Sequence, residues 1–470
     1  MLKFRWVIGF IIISIFLEAG LHSIAESSSS FRVKEYSQFI PEKYKTVYKE
    51  NQTVMNELRQ RLESNSGKNP DACIYSTEIP HANCNRGPLL LTKSNWTESL
   101  LFLKQIKNLG FQAVTLDIHF PLLCASFHKT EQEYIAYLQY YKNLIQAIRN
   151  NGMKVYIESQ TIFTQPEFSS LPVEEYYKTL TLEEYKKGRL ETLIVISREL
   201  KPDYLTIGCE PSTEAKLSGQ PFHEYEQYIN FMKYLLEGLQ DHRSSLKLGA
   251  GFGTWEKEYI QFTRDYTQLL SLDFVNLHVY PLSGGQGNRM LQIAQACQRI
   301  NRPILIEEAW LYKATSDELQ ESSDIASSAK FFSRDCYSFF QPLDEQFIQL
   351  MLLFSAKYPV ACLNFFWSHY FFGYLQYENV ADMTYPQLMK ALNTEIYQNY
   401  HQSVITNTGC TLYCFFSQIP IEQAFLGYGS TKYPVSKRYE FFHGTIEDFM
   451  IFNRPLTNEE VQDLYRTQYK

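Results

Sequence analysis

Tyr204-Leu205-Thr206-Ile207-Gly208-Cys209-Glu210-Pro211 is a short apolar run that ends on a carboxylate and a proline. It follows an amphipathic helical stretch, Leu182 to Leu200. The same phrase of helix, then apolar run, recurs outward in both directions. Upstream stand Gln112 to Ile118 after the helix Glu98 to Leu109, and Lys154 to Glu158 after Tyr134 to Arg149 and the stop Asn151-Gly152. Downstream come Leu246 to Ala250, Phe274 to Val279, Ile304 to Glu307 and Ala361 to Trp367. Either Ala72 to Tyr75 or Pro88 to Leu91 supplies the first run. Most runs are continuously apolar rather than alternating, the pattern of strands buried on both faces of a parallel sheet. Eight such strands with intervening helices, over residues 71–400, predict a (β/α)8 barrel. A doubly wound open sheet would carry a Gly-rich phosphate turn after its first strand, and no such turn is present.

Outside this region the texture changes. Residues 26–70 are polar, with a helical lead-in over Thr46 to Ser64 through Val47, Val54, Leu58 and Leu62. Residues 1–25 have the form of a signal peptide: Lys3 and Arg5, an apolar run from Trp6 to Leu17, then Ser23-Ile24-Ala25. That run is short for a membrane span, so the chain is expected to be secreted, periplasmic or extracellular, with an N-terminal anchor as the alternative. Export would permit disulfides, and Cys73 with Cys84, or Cys410 with Cys414, are near enough in sequence to bridge. The nine cysteines leave at least one thiol free, and none forms a zinc-type CxxC pair, so no metal and no cofactor is expected.

The composition narrows the partners. With 44 basic and 51 acidic residues, a net charge of -7 and no long Lys/Arg block, nucleic acid is not expected as a partner. No membrane partner is expected beyond the export signal or anchor. The 34 Tyr and 33 Phe supply a packed core, the reading that composition favours, and they also suit a surface that stacks rings or sugars.

In a (β/α)8 barrel, chemistry collects at the C-terminal ends of the strands. Glu210 closes the fourth run, and Glu308 closes the seventh in Pro303-Ile304-Leu305-Ile306-Glu307-Glu308-Ala309-Trp310. A carboxylate ending a buried strand is costly unless it faces a polar pocket. Two of them in one mouth meet the needs of retaining glycoside hydrolysis, a proton donor and a nucleophile about 5–5.5 Å apart.

In the order, strand context and 98-residue spacing of these two glutamates, the chain resembles the clan A glycoside hydrolases. Ile-Gly-x-Glu on strand four and Ile-Glu-Glu-Ala-Trp on strand seven are similar to the arabinogalactan endo-galactanase branch. The resemblance implies an O-glycosyl hydrolase acting on a polysaccharide or oligosaccharide, with Glu210 as acid/base and Glu308 as nucleophile. It also implies that His278 and Tyr280 contact the nucleophile and substrate, and that Trp367 is a sugar platform. Trp310, Asp117 and His119 complete the expected substrate-binding set. One departure is Cys209, where the clan has the Asn that bonds the sugar 2-hydroxyl; another is the lack of a strand-two Arg.

Each residue also has a plainer reading. Strand alternation sends one of Glu307 and Glu308 into the mouth and the other away, and the clan pattern selects Glu308. Glu210 could serve only as an acid at a helix start, and Glu158 as a salt-bridge partner. His278, Asp117 and His119 suit structural hydrogen bonds as well, and Trp255, Trp310 and Trp367 suit core packing. The rival function is a catalytically inactive carbohydrate-binding or surface-interaction protein on a glycosidase scaffold.

Residues 401–470 leave the β/α rhythm. Gly444-Thr445-Ile446-Glu447-Asp448 and Asn453-Arg454-Pro455-Leu456-Thr457-Asn458-Glu459-Glu460-Val461 resemble the closing strand and short helix of laminin-G-like, concanavalin A-like jelly rolls. The tail is too short for a whole domain of that kind, so it is expected to be a partial, β-rich module.

Overall fold

The computed structural model describes residues 31–166, 168–321 and 329–418. The expected signal peptide and the jelly-roll-like motif lie outside the described residues. Eight parallel strands form a closed barrel in sequence order: β1 (Ile74–Glu78), β2 (Ala113–Asp117), β3 (Lys154–Glu158), β4 (Tyr204–Thr206), β5 (Lys247–Gly253), β6 (Phe274–Val279), β7 (Ile304–Ala309) and β8 (Val360–Phe365). The Ile74 to Cys362 pairing of β1 with β8 closes the ring. Pro88 to Leu91, the other candidate for the first strand, is 3-10 helix on the mouth side.

Helices fill the connections, among them α1 (Lys45–Ser64), α2 (Lys93–Leu109), α3 (Glu131–Asn150), α4 (Leu182–Val195), α5 (Pro211–Ser218), α6 (Tyr225–Gly238), α7 (Gln286–Arg299), α8 (Gln341–Lys357), α9 (Tyr385–His401) and α10 (Asn407–Phe416). Local chemistry sets their limits. Thr130 and Thr181 cap α3 and α4 through their hydroxyls, the latter in a capping box with Glu184. Gly110 and Gly219 stop α2 and α5 in the left-handed conformation that costs glycine least. The lead-in helix α1 buries Val47, Asn51, Met55, Leu58 and Leu62 and packs against α8. Met55 joins that stripe in place of the expected Val54, which is half-buried.

The floor of the barrel is apolar. Ala113, Tyr156, Phe274, Leu305 and Cys362 meet there, with Ile74 and Tyr204 packed on them. A Cβ on Gly249 would lie 2.1 Å from the Phe274 ring, so glycine makes room for it. Below the floor, Phe416 of α10 lies edge-on to Phe111 at 5.0 Å, and Phe415 to Tyr75 at 5.3 Å. Residues 401–418 thus seal the N-terminal end of the barrel. They also form a two-stranded parallel pair, Arg32–Val33 with Val404–Ile405.

The bridges that export would permit do not form: all nine cysteines are thiols. Cys73 precedes β1 and Cys84 follows it, so a strand of roughly 17 Å separates them. Cys410 and Cys414 sit one helical turn apart with sulfurs at 3.7 Å, well beyond the ~2.05 Å of a disulfide. Among the described residues, no helix is long and apolar enough to cross a membrane.

Candidate active site

Above the apolar floor the inward side chains turn polar. Ser76 and Thr115 share a hydrogen bond of 2.9 Å. Higher still, the strand ends bring Glu78, Asp117, Glu158, His278, Glu307 and Glu308 inward, and Glu210 joins them from the turn after β4. All seven are at most 7% exposed. They surround the base of a cavity of about 870 Å³.

His278 stands at the centre. Its Nδ1 lies 2.7 Å from Glu210 Oε1 and 3.2 Å from Glu308 Oε2, and its Nε2 lies 3.1 Å from Glu158 Oε2. Burial alone would drive the imidazole neutral. Glu308, Glu210 and Glu307 outweigh it and raise the pKa to about 9. His278 therefore carries a positive charge at neutral pH. It is fully buried, and among the expected substrate contacts it lies beneath the cavity rather than on its wall.

Glu210 lines the cavity. It stands at the N-cap of α5, to which its side chain makes no cap bond. Glu308 also lines the cavity, and its Oε2 accepts a hydrogen bond from the Tyr280 hydroxyl. Burial pushes the Glu308 carboxyl well above the usual range, while the nearby His278 charge pulls it back. Oxygens of Glu210 and Glu308 and a nitrogen of His278 all lie within 4.8 Å of one another.

The expected division of Glu307 and Glu308 to opposite faces does not occur. Leu277 pairs with Ile306 and His278 with Glu308, so Glu307 is one extra residue in β7, a bulge. Leu305 points to the floor, and Glu307 follows on the same inner face beside Thr206 and His278. The bulge then turns Glu308 inward too. Burial raises the Glu307 pKa to about 8, and neither of its oxygens has a hydrogen-bond partner by geometry.

The aromatic residues separate into two groups. Tyr280, Trp255 and Trp367 line the cavity. Trp367 adopts φ 56 and ψ 46, a left-handed conformation costing a bulky residue roughly 1–2 kcal/mol. That turn brings the backbone N–H groups of Trp367 and Ser368 to the Glu78 carboxyl, partly offsetting its burial. Trp310, in contrast, is fully buried behind the wall and stacks on Tyr370 at 5.4 Å. It packs the core and does not reach the cavity. Asp117 and His119 do line it. His119 Nδ1 accepts from the Gln160 N–H at 3.2 Å, and burial with the Arg189 charge lowers its pKa to about 3, so it is neutral.

Sequence reasoning missed several parts. Glu78 went unseen because the first strand was left between two candidates. Tyr312 comes to the wall from the loop after β7, Phe332 from the helix Ala329–Asp335, Tyr370 from the 3-10 turn Ser368–Phe371 and Tyr385 from α9, where no strand-end rule applies. The absent strand-two Arg has no direct substitute on the wall of β2, but Arg189 of α4 is fully buried behind β3 and β4. It donates to Glu214 Oε1 at 2.8 Å, to the Ser159 carbonyl at 3.0 Å and to the Ile207 carbonyl at 2.8 Å. Tyr185 also donates to Glu214, at 2.6 Å. Since Glu214 lies on α5, this network fixes the turn that carries Glu210.

Three overlapping sets could offer metal ligands: Glu158–Cys209–His278, Glu210–His278–Glu308 and Asp117–Glu158–Glu308.

Several solved structures are similar to this chain. A GH113 β-1,4-mannanase is 11% identical, covering 63% of this chain and 87% of its own, with a TM-score of 0.40. The Ignisphaera aggregans GH53 catalytic domain is 16% identical over 57% and 77%, with 0.38. The exo-β-1,4-mannosidase Op5Man5 from Opitutaceae bacterium strain TAV5 is 12% identical over 76% and 62%, with 0.45. No family model matches the chain, and no curated protein matches it. Values this low carry no chemical conclusion, which has to come from the site itself.

Proposed function

We propose that the protein is a retaining glycoside hydrolase acting on a polysaccharide or oligosaccharide. One observation carries this reading: Glu210 and Glu308 enter one cavity with carboxylate oxygens within 4.8 Å. That agrees with the ~5–5.5 Å separation of retaining enzymes and leaves no room for the water an inverting pair holds between its carboxyls.

Glu308 attacks the anomeric carbon while Glu210 protonates the departing oxygen; Glu210 then takes a proton from water, which releases the sugar. The Tyr280 hydroxyl and the His278 imidazolium favour the anionic form of Glu308 that attack requires. Trp367, Trp255 and Tyr280 offer apolar ring faces to the C–H faces of sugars. Encounter with the substrate outside the cytoplasm is part of the proposal and rests on the sequence of residues 1–25.

The test is sugar release from plant, fungal and bacterial polysaccharides by the wild type and by Glu308→Gln. Release with retained anomeric configuration, lost in the variant, is expected. Binding of a polysaccharide without release would favour the inactive carbohydrate binder.

A further inference from the structure

Asp117, His119 and Gln160 come together on the cavity wall just past the ends of β2 and β3, and the proposed mechanism uses none of them. The chain brings Gln160 alongside β2: the Phe120 N–H donates to the Gln160 carbonyl at 2.9 Å, and the Gln160 N–H donates to His119 Nδ1 at 3.2 Å. All three residues are at most 4% exposed.

Their unmet hydrogen bonds are definite in kind. A backbone N–H can only donate, so His119 Nδ1 keeps its lone pair and the ring proton sits on Nε2. Burial first, then the Arg189 and His278 charges, lower the His119 pKa to about 3 against the pull of the Glu158 carbonyl, so the ring stays neutral. Its Nε2–H is a donor with no protein acceptor among the described residues. Asn83 donates to Asp117 Oδ2, but Asp117 Oδ1 is buried without a donor, and so is Gln160 Oε1. The His278 charge acts on Asp117, yet its ring nitrogens are turned to Glu210, Glu308 and Glu158. This stretch of wall therefore offers one fixed donor and two open acceptors.

That complement sorts the possible ligands. An ammonium group cannot accept from His119. A carboxylate or sulfate cannot donate to Asp117 or Gln160. An acetamido group does both but carries a methyl, for which these three side chains offer no apolar seat. Hydroxyl groups both accept and donate.

We infer that Asp117, His119 and Gln160 form a subsite for the hydroxyl edge of an uncharged sugar, with His119 Nε2 as donor and Asp117 Oδ1 and Gln160 Oε1 as acceptors. This deepens the glycosidase reading and rests on it for the ligand being a sugar.

The experiment is titration calorimetry of the full chain with β-1,4-linked tetraoses of glucose, mannose and galactose, and with chitotetraose and tetragalacturonate. At least one neutral tetraose should bind more tightly than the acetylated and acidic ones. Two substitutions separate the ring nitrogens. His119→Asn keeps an acceptor near the Gln160 N–H and loses the outer donor, while His119→Gln places an amide N–H near the Nε2 position and gives up the inner bond. With both shown by thermal melting to be folded, affinity for that tetraose should fall by about tenfold or more in His119→Asn and by less than about threefold in His119→Gln. Gln160→Met should weaken it by about fivefold or more. A structural role for His119 gives the opposite order, and that order, or equal losses, or no loss, overturns the inference. Tighter binding of chitotetraose or tetragalacturonate than of every neutral tetraose, or no binding of any neutral tetraose, also overturns it. Nitrogen NMR of the wild type supplies a test independent of the variants: a His119 proton on Nδ1, or on both nitrogens, between about pH 5 and 8 sinks the assignment. Neutral-sugar binding with the expected order but without hydrolysis sustains the inference and removes the glycosidase reading. Hydrolysis of a neutral polysaccharide, with binding indifferent to both substitutions, does the reverse.

Discussion

The Tyr280 hydroxyl donates its hydrogen bond to Glu308 Oε2, the same oxygen that lies 3.2 Å from His278 Nδ1, and His278 is held in turn by Glu158 and Glu210. A hydrogen bond to a charged group contributes about 1.5–3 kcal/mol. Tyr280→Phe should therefore lower kcat by roughly 10- to 150-fold with little change in melting temperature. Steady-state kinetics and a thermal melt check this.

The pH profile should be set by the central cluster. Glu308 has to be ionised for attack, and burial raises its pKa, so activity should be lost as pH falls, starting nearer neutrality than an exposed glutamate would give. His278, with a pKa raised to about 9, loses its charge above that pH and with it the support for the Glu308 anion. His278→Asn should move the acid limb of the kcat/KM profile upward, because the Glu308 anion loses that support.

Glu307 provides a stability test. Its folded pKa of about 8 is above the ordinary glutamate value of ~4.3, so the folded state favours the neutral form. That contribution is fully present below the unfolded pKa and is lost as pH rises through 8. Glu307→Gln keeps a neutral side chain at every pH. Its melting temperature should exceed the wild type by a few degrees at pH 9 and differ little at pH 5.

Arg189 and Glu214 form a fully buried ion pair at 2.8 Å. Removing one partner of such a pair costs about 3–5 kcal/mol because the other charge is stranded. Arg189→Met should lower the denaturant midpoint strongly and reduce kcat through the displaced Glu210 turn. Arg189→Met with Glu214→Gln should recover much of the stability, since no unpaired charge remains.

The barrel was legible because parallel strands buried on both faces advertise themselves as unbroken apolar runs. Lys154–Glu158 and Phe274–Val279 begin and end where those runs do. Strand ends also led to Glu210, Glu308, Asp117 and His119, all on the cavity wall. Residues whose role depends on side-chain direction were harder. Trp310 sits one residue beyond β7 and faces the core, while Trp367 faces the cavity only through a left-handed turn that no residue type announces. The inward turn of both Glu307 and Glu308 depends on a bulge, and pleat alternation argued against it. The Arg189 network joins α4 to the ends of β3 and β4, a long-range partnership with no local periodicity to reveal it.

The bulge in β7 has a further meaning for how this cavity tolerates change. Glu307 and Glu308 are the same amino acid, yet one lies deep beside Thr206 and the other meets the cavity beside Tyr280. Their duties are assigned by address rather than by chemistry. Deleting either one would leave a single glutamate in a regular pleat opposite His278, and one carboxylate would stand where the strand now carries two. A one-residue frame in the strand, rather than any choice of side chain, separates the two levels.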